Sequence, residues 1–285
     1  MFIPFKILEE KLKQLLAEDV GQGDVTSAVI VPSDLVVEAT VLAKEAGTAA
    51  GIEETEILAK SLGLSVETKV ADGDEIKKGK TLLKLSGNAQ TILSAERTIL
   101  NLLSRMSGIA TATRKLTEKL RKAKATAKIA ATRKTALGLS YFDKKAVLIG
   151  GGDPHRLRLD DMILIKDNHV AIVGSVDNAV RKAKKAASFS KKIEVEVTSI
   201  AAALKAAKAG ADIVMLDNFS PKLVSETCEA LKKAGFFGKI LLEASGGITD
   251  QNLLKYASTP VDIISMGTLT HSVKALDVSL EIAKF

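Results

Sequence analysis

Short runs of apolar residues, each followed by a polar cluster, recur along the second half of the chain. The apolar runs span residues 129–131, 162–165, 193–197, 213–216, 240–242 and 261–264. Runs of this length without polar alternation are typical of parallel strands that helices cover on both faces. Strands that alternate with helices close into barrels, whose chemistry gathers at the carboxyl ends of the strands. The pattern therefore predicts a parallel α/β barrel with a functional rim.

The polar clusters mix cations with carboxylates. They span residues 132–135, 166–169, 194–198, 217–218, 243–247 and 265–267. Because the carboxyl ends of parallel strands meet at one edge of a barrel, we expect these side chains to share one rim. A further apolar run at 147–149 brings the candidate strands to seven, so we expect an incomplete barrel of about seven strands.

The first hundred or so residues have a different pattern. Helices are predicted over 5–18 and 53–62, and strand-like runs occur at 35–43, 65–70 and 81–86. Glycines flanked by charged residues in 72–74 and 78–80 are typical of a turn between strands. Carriers of biotin or lipoyl groups have a similar turn, but no lysine stands at a matching tip here, so a structural hairpin is favoured. These elements predict a small α+β domain.

A long helix that begins near Ala95 connects the two halves in this prediction. Its apolar residues recur near helical spacing and form one stripe, comprising Ile92, Ile99, Leu102, Met106 and Ile109. The tail, residues 275–285, is predicted to form a terminal helix.

Composition narrows the class of protein. The 285 residues include one cysteine, which excludes an intrachain disulfide and favours a reducing compartment. No apolar run approaches the roughly 20 residues that span a bilayer, and the start shows no signal-peptide pattern, so we expect a cytoplasmic protein without membrane contact. The net charge of +7 is dispersed along helices, and the chain has no tryptophan. This composition favours small anionic substrates over nucleic acid.

Two basic pairs are candidate ligands for acidic groups. Arg133 and Lys134 follow the first apolar run of the barrel, where they can reach one site only if the strand has already ended. His155 and Arg156 follow three glycines whose exposed amides can approach an anion. Lys166 closes the next strand. Exposed basic residues, a flexible glycine loop and a helix cap at Asp167 are the structural alternatives.

Glu196 and Asp217 follow consecutive strands, so both carboxylates can face one cavity. They suit Mg²⁺ held through a substrate's phosphates, or sugar hydroxyls, or a purely structural role. Glycine-containing segments after the last two strands, with Ser245, Gly246, Gly247 and Gly267, suit phosphate. The three histidines and one cysteine have no zinc-ligand spacing. A Schiff base on Lys134 or Lys166 is a further possibility that the residues leave open.

Taken in order, these motifs resemble the quinolinate phosphoribosyltransferase family over nearly the whole chain. The matching segments are 18–27, 96–98, 107–110, 132–135, 150–156, 165–169, 194–196, 216–218, 243–248 and 264–267. The resemblance implies an α/β protein of two domains: an open α/β sandwich over residues 1–108, joined by a C-terminal helix at 271–285, and an incomplete, about seven-stranded barrel over 109–270. It also implies a homodimer with shared active sites, or a larger assembly such as a hexamer.

The implied reaction is phosphoribosyl transfer from phosphoribosyl pyrophosphate to quinolinate with loss of CO₂ and with Mg²⁺ as cofactor. It yields nicotinate mononucleotide and pyrophosphate in de novo NAD biosynthesis. The implied acid-binding residues are Arg133, Lys134, His155, Arg156 and Lys166, with Arg97 from a neighbouring subunit. By the same resemblance, Glu196 and Asp217 face the ribose and Mg²⁺, and Ser245, Gly246, Gly247 and Gly267 line the phosphate site. Lys134 or Lys166 is the hypothetical proton donor after decarboxylation.

Other interpretations differ in the acceptor or in the class of protein. A related phosphoribosyltransferase-like family associated with molybdenum transport loci would keep the phosphate site, but it need not keep every acid-binding cation. A barrel lyase with a Schiff-base lysine, a biotinyl-like carrier and a binding protein without turnover are the remaining alternatives. The presence of all the expected cations favours quinolinate.

Overall fold

The computed structural model describes residues 3–283, which divide into two compact units. The first unit contains the chain up to residue 114, residues 141–151 and the chain from residue 273. The second contains residues 115–140 and 152–272. The predicted division at 108/109 and 270/271 lies near these limits, but segment 141–151, expected in the barrel, groups with the first unit.

The helices and strands are numbered in chain order. The helices are α1 (Phe5–Val20), α2 (Val25–Ile30), α3 (Ile52–Ser61), α4 (Ala89–Lys122), α5 (Ser140–Ile149), α6 (Asp167–Val173), α7 (Val176–Ala186), α8 (Ile200–Ala209), α9 (Pro221–Lys233), α10 (Leu253–Ala257) and α11 (Thr268–His271). The strands are β1 (Val36–Ala43), β2 (Gly47–Thr48), β3 (Ser65–Thr68), β4 (Glu75–Ile76), β5 (Thr81–Asn88), β6 (Lys128–Ala130), β7 (Ile163–Ile165), β8 (Ile193–Val197), β9 (Ile213–Asp217), β10 (Leu241–Ser245), β11 (Ile263–Ser265) and β12 (Val278–Ile282). None of the helices among residues 3–283 is long and apolar enough to cross a membrane.

The first unit is built on a four-stranded antiparallel sheet in the order β12-β1-β5-β3. The predicted terminal helix at 271–285 is wrong for the described residues, because β12 is a strand paired with β1. Val278, Leu280 and Ile282 alternate with polar residues, which is the period-two pattern of a strand. Val278 pairs with Ala43 and Leu280 with Val41, so the tail completes the edge of this sheet.

The second unit is an incomplete α/β barrel, as predicted. Six parallel strands lie in the order β6-β11-β10-β9-β8-β7. A single parallel bridge between Ala130 and Asp153 lies on the other side of β6. The predicted strand at 147–149 is wrong, because these residues end the helix α5. A short apolar run does not distinguish a buried helix from a buried strand. Where a seventh strand would pair with β6, the structure has only the bridge at Asp153.

Serine caps fix where the barrel helices begin after the rim segments. Ser175, Ser199 and Ser220 each accept a hydrogen bond from a backbone amide in the first turn of α7, α8 and α9. Such caps satisfy amides that have no partner inside the helix. The caps of α8 and α9 follow directly on the rim segments after β8 and β9, whereas α7 begins after the short helix α6.

Candidate active site

A cavity of about 690 Å³ lies at the carboxyl ends of the barrel strands. Its walls include the following predicted site residues: Arg133, Lys134, His155, Arg156, Lys166, Glu196, Asp217, Ser245, Gly246, Gly247 and Gly267. Arg97 is not among the wall residues. It lies on α4 in the first unit, and its side chain is 65% exposed.

Strand alternation explains why these side chains meet. Met215 and Asp217 on β9 are in register with Glu243 and Ser245 on β10, and all four line the cavity. Residues two apart on a strand face the same side, so they occupy successive layers of the barrel interior. Sequence position and register together therefore place Asp217 and Ser245 at the rim, with Met215 and Glu243 one layer below.

Arg133 and Lys134 meet the condition that the sequence set for them, because β6 ends at Ala130. Both side chains are exposed and line the cavity. The Lys134 carbonyl accepts a hydrogen bond of 2.7 Å from Thr270 Oγ1, which ties this segment to the helix after β11. A β-carbon at Gly267 would lie 3.0 Å from His271 and 3.3 Å from Lys134, so glycine allows this close approach.

The carboxylates of the rim have different partners. Glu196 Oε1 lies 3.2 Å from Lys166 Nζ, so a cation and a carboxylate face the cavity as an ion pair. Asp217 Oδ2 accepts a 3.0 Å hydrogen bond from Asn218 Nδ2. Gly246 has a φ of +93°, and a β-carbon there would lie 2.3 Å from Asn218 Oδ1. Glycine is therefore required where the segment after β10 passes Asn218.

Arg156 is buried in the cavity wall. Burial, followed by the nearby charge of Arg133, lowers the pKa of its guanidinium, although Glu194 and Glu196 act in the opposite direction. Arg133 and Arg156 both line the cavity, where their like charges repel each other. A ligand with two carboxylates would relieve that repulsion.

His155 has partners on both ring nitrogens. Its Nε2 lies 3.1 Å from Glu243 Oε2 and 3.4 Å from Glu194 Oε2, and its Nδ1 accepts a 2.8 Å hydrogen bond from the amide of Arg156. Burial alone would lower the pKa of His155, but Glu194 and Glu243 outweigh burial and raise the pKa to about 10. With Glu243 as its acceptor, Nε2 carries a proton in both the charged and the neutral ring, and Nδ1 accepts from the Arg156 amide in the neutral ring.

Sequence reasoning missed Glu194 and Glu243 as site residues. Both are fully buried, and each lies two residues before a rim position, namely Glu196 and Ser245. A glutamate within an otherwise apolar strand is the signal that could have identified them, since a buried carboxylate needs a specific partner. Asn218, Thr249 and His271 also line the cavity, but they carry no comparable signal.

Ion pairs fix the segment that follows β10. Asp250 binds Lys115 Nζ at 2.7 Å and Lys119 Nζ at 2.6 Å. Asn252 accepts a hydrogen bond from the Thr249 amide and donates one to the Gly247 carbonyl. These contacts hold the glycine segment against the barrel, so its backbone amides are arranged before any ligand binds.

Comparison with known proteins adds two matching family models. The model for the N-terminal domain of quinolinate phosphoribosyl transferase matches residues 24–107. The model for the C-terminal domain of the same family matches residues 109–281.

Similar proteins cover nearly the whole chain. A probable nicotinate-nucleotide pyrophosphorylase [carboxylating] from Methanothermobacter thermautotrophicus is 46% identical over 271 residues, which are 95% of this chain and 97% of that protein. Its counterpart from Bacillus subtilis is 40% identical over 279 residues, covering 96% and 93% of the two chains. The crystal structure of NadC from Streptococcus pyogenes has a TM-score of 0.89 at 35% identity, with 100% of both chains covered. The nicotinate-nucleotide pyrophosphorylase structure from Francisella tularensis has a TM-score of 0.88 at 36% identity, covering 99% and 98%.

Proposed function

We propose an activity for this chain from the premise that it belongs to the quinolinate phosphoribosyltransferase family. The chain is a pentosyltransferase that transfers the phosphoribosyl group of phosphoribosyl pyrophosphate to quinolinate and releases CO₂. The products are nicotinate mononucleotide and pyrophosphate, as required in de novo NAD biosynthesis. The observation that carries this proposal is a single cavity with basic side chains, paired carboxylates and a glycine segment in its wall.

The basic side chains account for binding of the acid. Quinolinate is a dianion, and burying two carboxylates without paired cations is costly. Arg133, Lys134, Arg156 and Lys166 line the cavity and supply that positive charge. Arginine binds a carboxylate through two parallel hydrogen bonds, which fixes the orientation of the ring as well as its position.

Glu196 and Asp217 are placed for the phosphoribosyl transfer. The pyridine nitrogen attacks the anomeric carbon of the ribose, and the bond to pyrophosphate breaks with its electron pair on the leaving oxygen. The ribose acquires oxocarbenium character in this step, and fixed carboxylates stabilise such charge electrostatically. The ion pair of Glu196 with Lys166 orients the glutamate toward the cavity.

Decarboxylation breaks the bond between the ring and one carboxylate, and the electron pair left on the ring carbon takes up a proton. Lys134 and Lys166 are the cavity ammonium groups that we propose as proton donors. The test compares Lys134→Ala and Lys166→Ala for nucleotide formation and CO₂ release. Loss of CO₂ release in one variant identifies the donor, and full release in both refutes this role.

The donor set fits Mg²⁺. Glu196 and Asp217 are oxygen ligands on neighbouring strands of one cavity, and Mg²⁺ is held by one or two carboxylates together with substrate phosphates. Bound there, Mg²⁺ would neutralise charge on the departing pyrophosphate. Ser245, Gly246, Gly247 and Gly267 lie in the same wall and are proposed to contact phosphate through hydroxyl and backbone amide groups.

Two further proposals concern assembly and location. We propose that the chain forms a homodimer, or a hexamer built from dimers, in which Arg97 of one subunit completes the site of another. Its exposed side chain is available for such a contact. Sedimentation of the wild type measures the oligomeric state. A mixture of Arg97→Ala with a variant of another active-site residue tests whether subunits share sites, because mixed dimers would regain activity. The cytoplasmic location stays a prediction.

The activity is tested by a coupled assay with quinolinate, phosphoribosyl pyrophosphate and Mg²⁺, in which pyrophosphate and CO₂ are measured. Nicotinate serves as the control acid, because it lacks the second carboxylate. We expect product from quinolinate and none from nicotinate. Binding of phosphoribosyl pyrophosphate without turnover of quinolinate would instead support a different acceptor, as in the relatives associated with molybdenum transport.

A further inference from the structure

We propose that His155 is a positioning residue: Glu194 and Glu243 hold its ring inside the barrel, and the ring in turn holds the backbone of Arg156 in place. This inference rests on the proposed function, in which Arg156 binds a carboxylate of quinolinate. It differs from the role that the sequence predicted for His155, because the ring acts on a neighbouring residue rather than on the substrate.

The backbone of this segment needs such support. His155 has a φ of +54°, a conformation that residues other than glycine seldom adopt. Its amide donates a 2.7 Å hydrogen bond to Asp153 Oδ1, and its Nδ1 accepts from the Arg156 amide at 2.8 Å. The side chain therefore closes a turn on its own following residue, and the ring plane sets the direction in which Arg156 leaves the backbone.

Glu194 and Glu243 contact Nε2 of His155 and anchor that side of the ring. Both are fully buried, and Glu243 Oε2 is within hydrogen-bond distance of His155 Nε2. Glu194 Oε1, Glu194 Oε2 and Glu243 Oε1 have no hydrogen-bond partner within residues 3–283. Carboxylates this buried require a donor, and the imidazole is the donor in contact with them.

His155 and Arg156 also form a partition inside the barrel. Both line the cavity at the carboxyl ends of the strands, and both line a second cavity of about 610 Å³ whose wall includes Lys128, Ile213 and Leu241 at the amino ends. With space on either side, packing alone cannot hold the two side chains in one orientation. The hydrogen bond of His155 to Glu243 therefore fixes the orientation of this part of the wall.

A metal centre at the same residues fits the structure less well. The ligand atoms of His155, Glu194 and Glu243 lie within 4.8 Å of one another. However, Nδ1 accepts the Arg156 amide hydrogen, so the ring proton lies on Nε2. A histidine that binds a metal through Nε2 has its proton on Nδ1, where it donates to a partner. The observed hydrogen bond is the reverse of that arrangement.

The kinetic test uses three variants: Glu243→Leu, His155→Asn and the double variant. Leucine is similar in size to glutamate and removes the acceptor for His155 Nε2. Asparagine tolerates positive φ and keeps an acceptor near the backbone, but it does not reach Glu243. The matched control is Glu54→Leu, which changes a fully buried glutamate of the first unit.

We expect both single variants to raise the KM for quinolinate by about 10- to 100-fold, the usual effect of misplacing a binding group. The KM for phosphoribosyl pyrophosphate should change less than twofold, and the double variant should be no worse than the worse single variant. Glu54→Leu should leave both KM values unchanged. A wild-type KM in Glu243→Leu, with a raised KM in His155→Asn, would show a direct ligand and overturn the proposal.

A second measurement does not depend on activity or on folding of a variant. The ¹⁵N NMR spectrum of the histidine-labelled wild type reports the protonation of each ring nitrogen, and the chain has only three histidines. We expect a proton on Nε2 of His155 throughout a pH titration, with the Nδ1 proton lost first as the pH rises. A ring that instead loses the Nε2 proton and keeps the one on Nδ1 overturns the proposal. An inactive wild type with the expected spectrum would refute the proposed function but leave the ring geometry intact.

Discussion

Each unit of this protein contains acidic residues clustered around one basic group, and the two clusters differ in what surrounds them. In the first unit, Lys145 donates to Glu53 and to Glu54, with Asp72 3.8 Å away. In the second unit, the basic group is the imidazole of His155, between Glu194 and Glu243. His155 lines both barrel cavities, whereas no residue of the lysine cluster lines either.

The basic groups also differ chemically. Burial alone would lower the pKa of Lys145, but Glu54 and Glu53 outweigh burial and raise it, so the ammonium stays charged among the carboxylates. A lysine has three donors and can turn toward several acceptors, whereas an imidazole has a fixed plane. The lysine cluster therefore serves stability, and the histidine cluster fixes an orientation beside the active site. A buried charged cluster does not by itself indicate a functional site. The histidine cluster is assigned to the active site because His155 lines the cavity there.

The largest expected effect on stability comes from breaking the lysine cluster. Lys145→Ala leaves Glu54 buried without its cation, and removing one partner of a buried ion pair costs about 3–5 kcal/mol of the free energy of unfolding. Denaturant unfolding measures this loss. Lys60→Ala, which removes an exposed ion pair with Glu56, is the control and should cost under about 1 kcal/mol. Equal losses in the two variants would contradict the structural role of Lys145.

A substitution in the active site should lower activity strongly and change stability little. Glu196→Gln removes the carboxylate that we propose to face the ribose, and kcat should fall by about 10²- to 10³-fold, as for other fixed electrostatic groups in active sites. Its free energy of unfolding should change by less than about 1 kcal/mol, because Glu196 and Lys166 are partly exposed. Steady-state kinetics and denaturant unfolding of the same preparation separate the two. Glu118→Gln, on α4 and away from the cavity wall, is the control.

The smallest expected effect on stability comes from Asp250, in the segment after β10. Hydrogen bonds from Lys115 and Lys119 lower the pKa of Asp250, so this contribution to stability is complete above the unfolded pKa of about 4 and is lost as the pH falls through the lower folded value. The side chain is 37% exposed, so solvent screening limits the contribution to under about 1 kcal/mol. Asp250→Asn should reduce stability at pH 7 and flatten its decline in acid. If the free energy of unfolding declines equally in acid for the wild type and for Asp250→Asn, this contribution is excluded.

Continuous apolar runs were sufficient to predict six strands of the barrel, because buried parallel strands leave no polar alternation. The same reasoning failed at 147–149, where the end of α5 is equally apolar although Leu148 is 43% exposed. At the tail, the alternation of Val278, Leu280 and Ile282 indicated a strand, but its partner β1 lies more than 200 residues away in the sequence. A local pattern does not show such pairing.

The rim residues were predictable because each directly follows a strand, and that position can be read from the apolar run before it. The role of His155 was not predictable in the same way. Its hydrogen-bond partners depend on a left-handed turn and on barrel register, which brings Glu194 and Glu243 together from strands that are not neighbours. The residue order predicted that His155 lies near the site, but it did not show that both ring nitrogens have hydrogen-bond partners within the protein.

A crystal structure of the chain with bound quinolinate tests the central claim most directly. We predict that both carboxylates lie in the larger barrel cavity, within hydrogen-bond distance of Arg133, Arg156 and Lys166. We also predict that His155 Nε2 remains on Glu243. Quinolinate bound outside this cavity would contradict the proposed function, and a His155 ring turned to donate to quinolinate would contradict its positioning role.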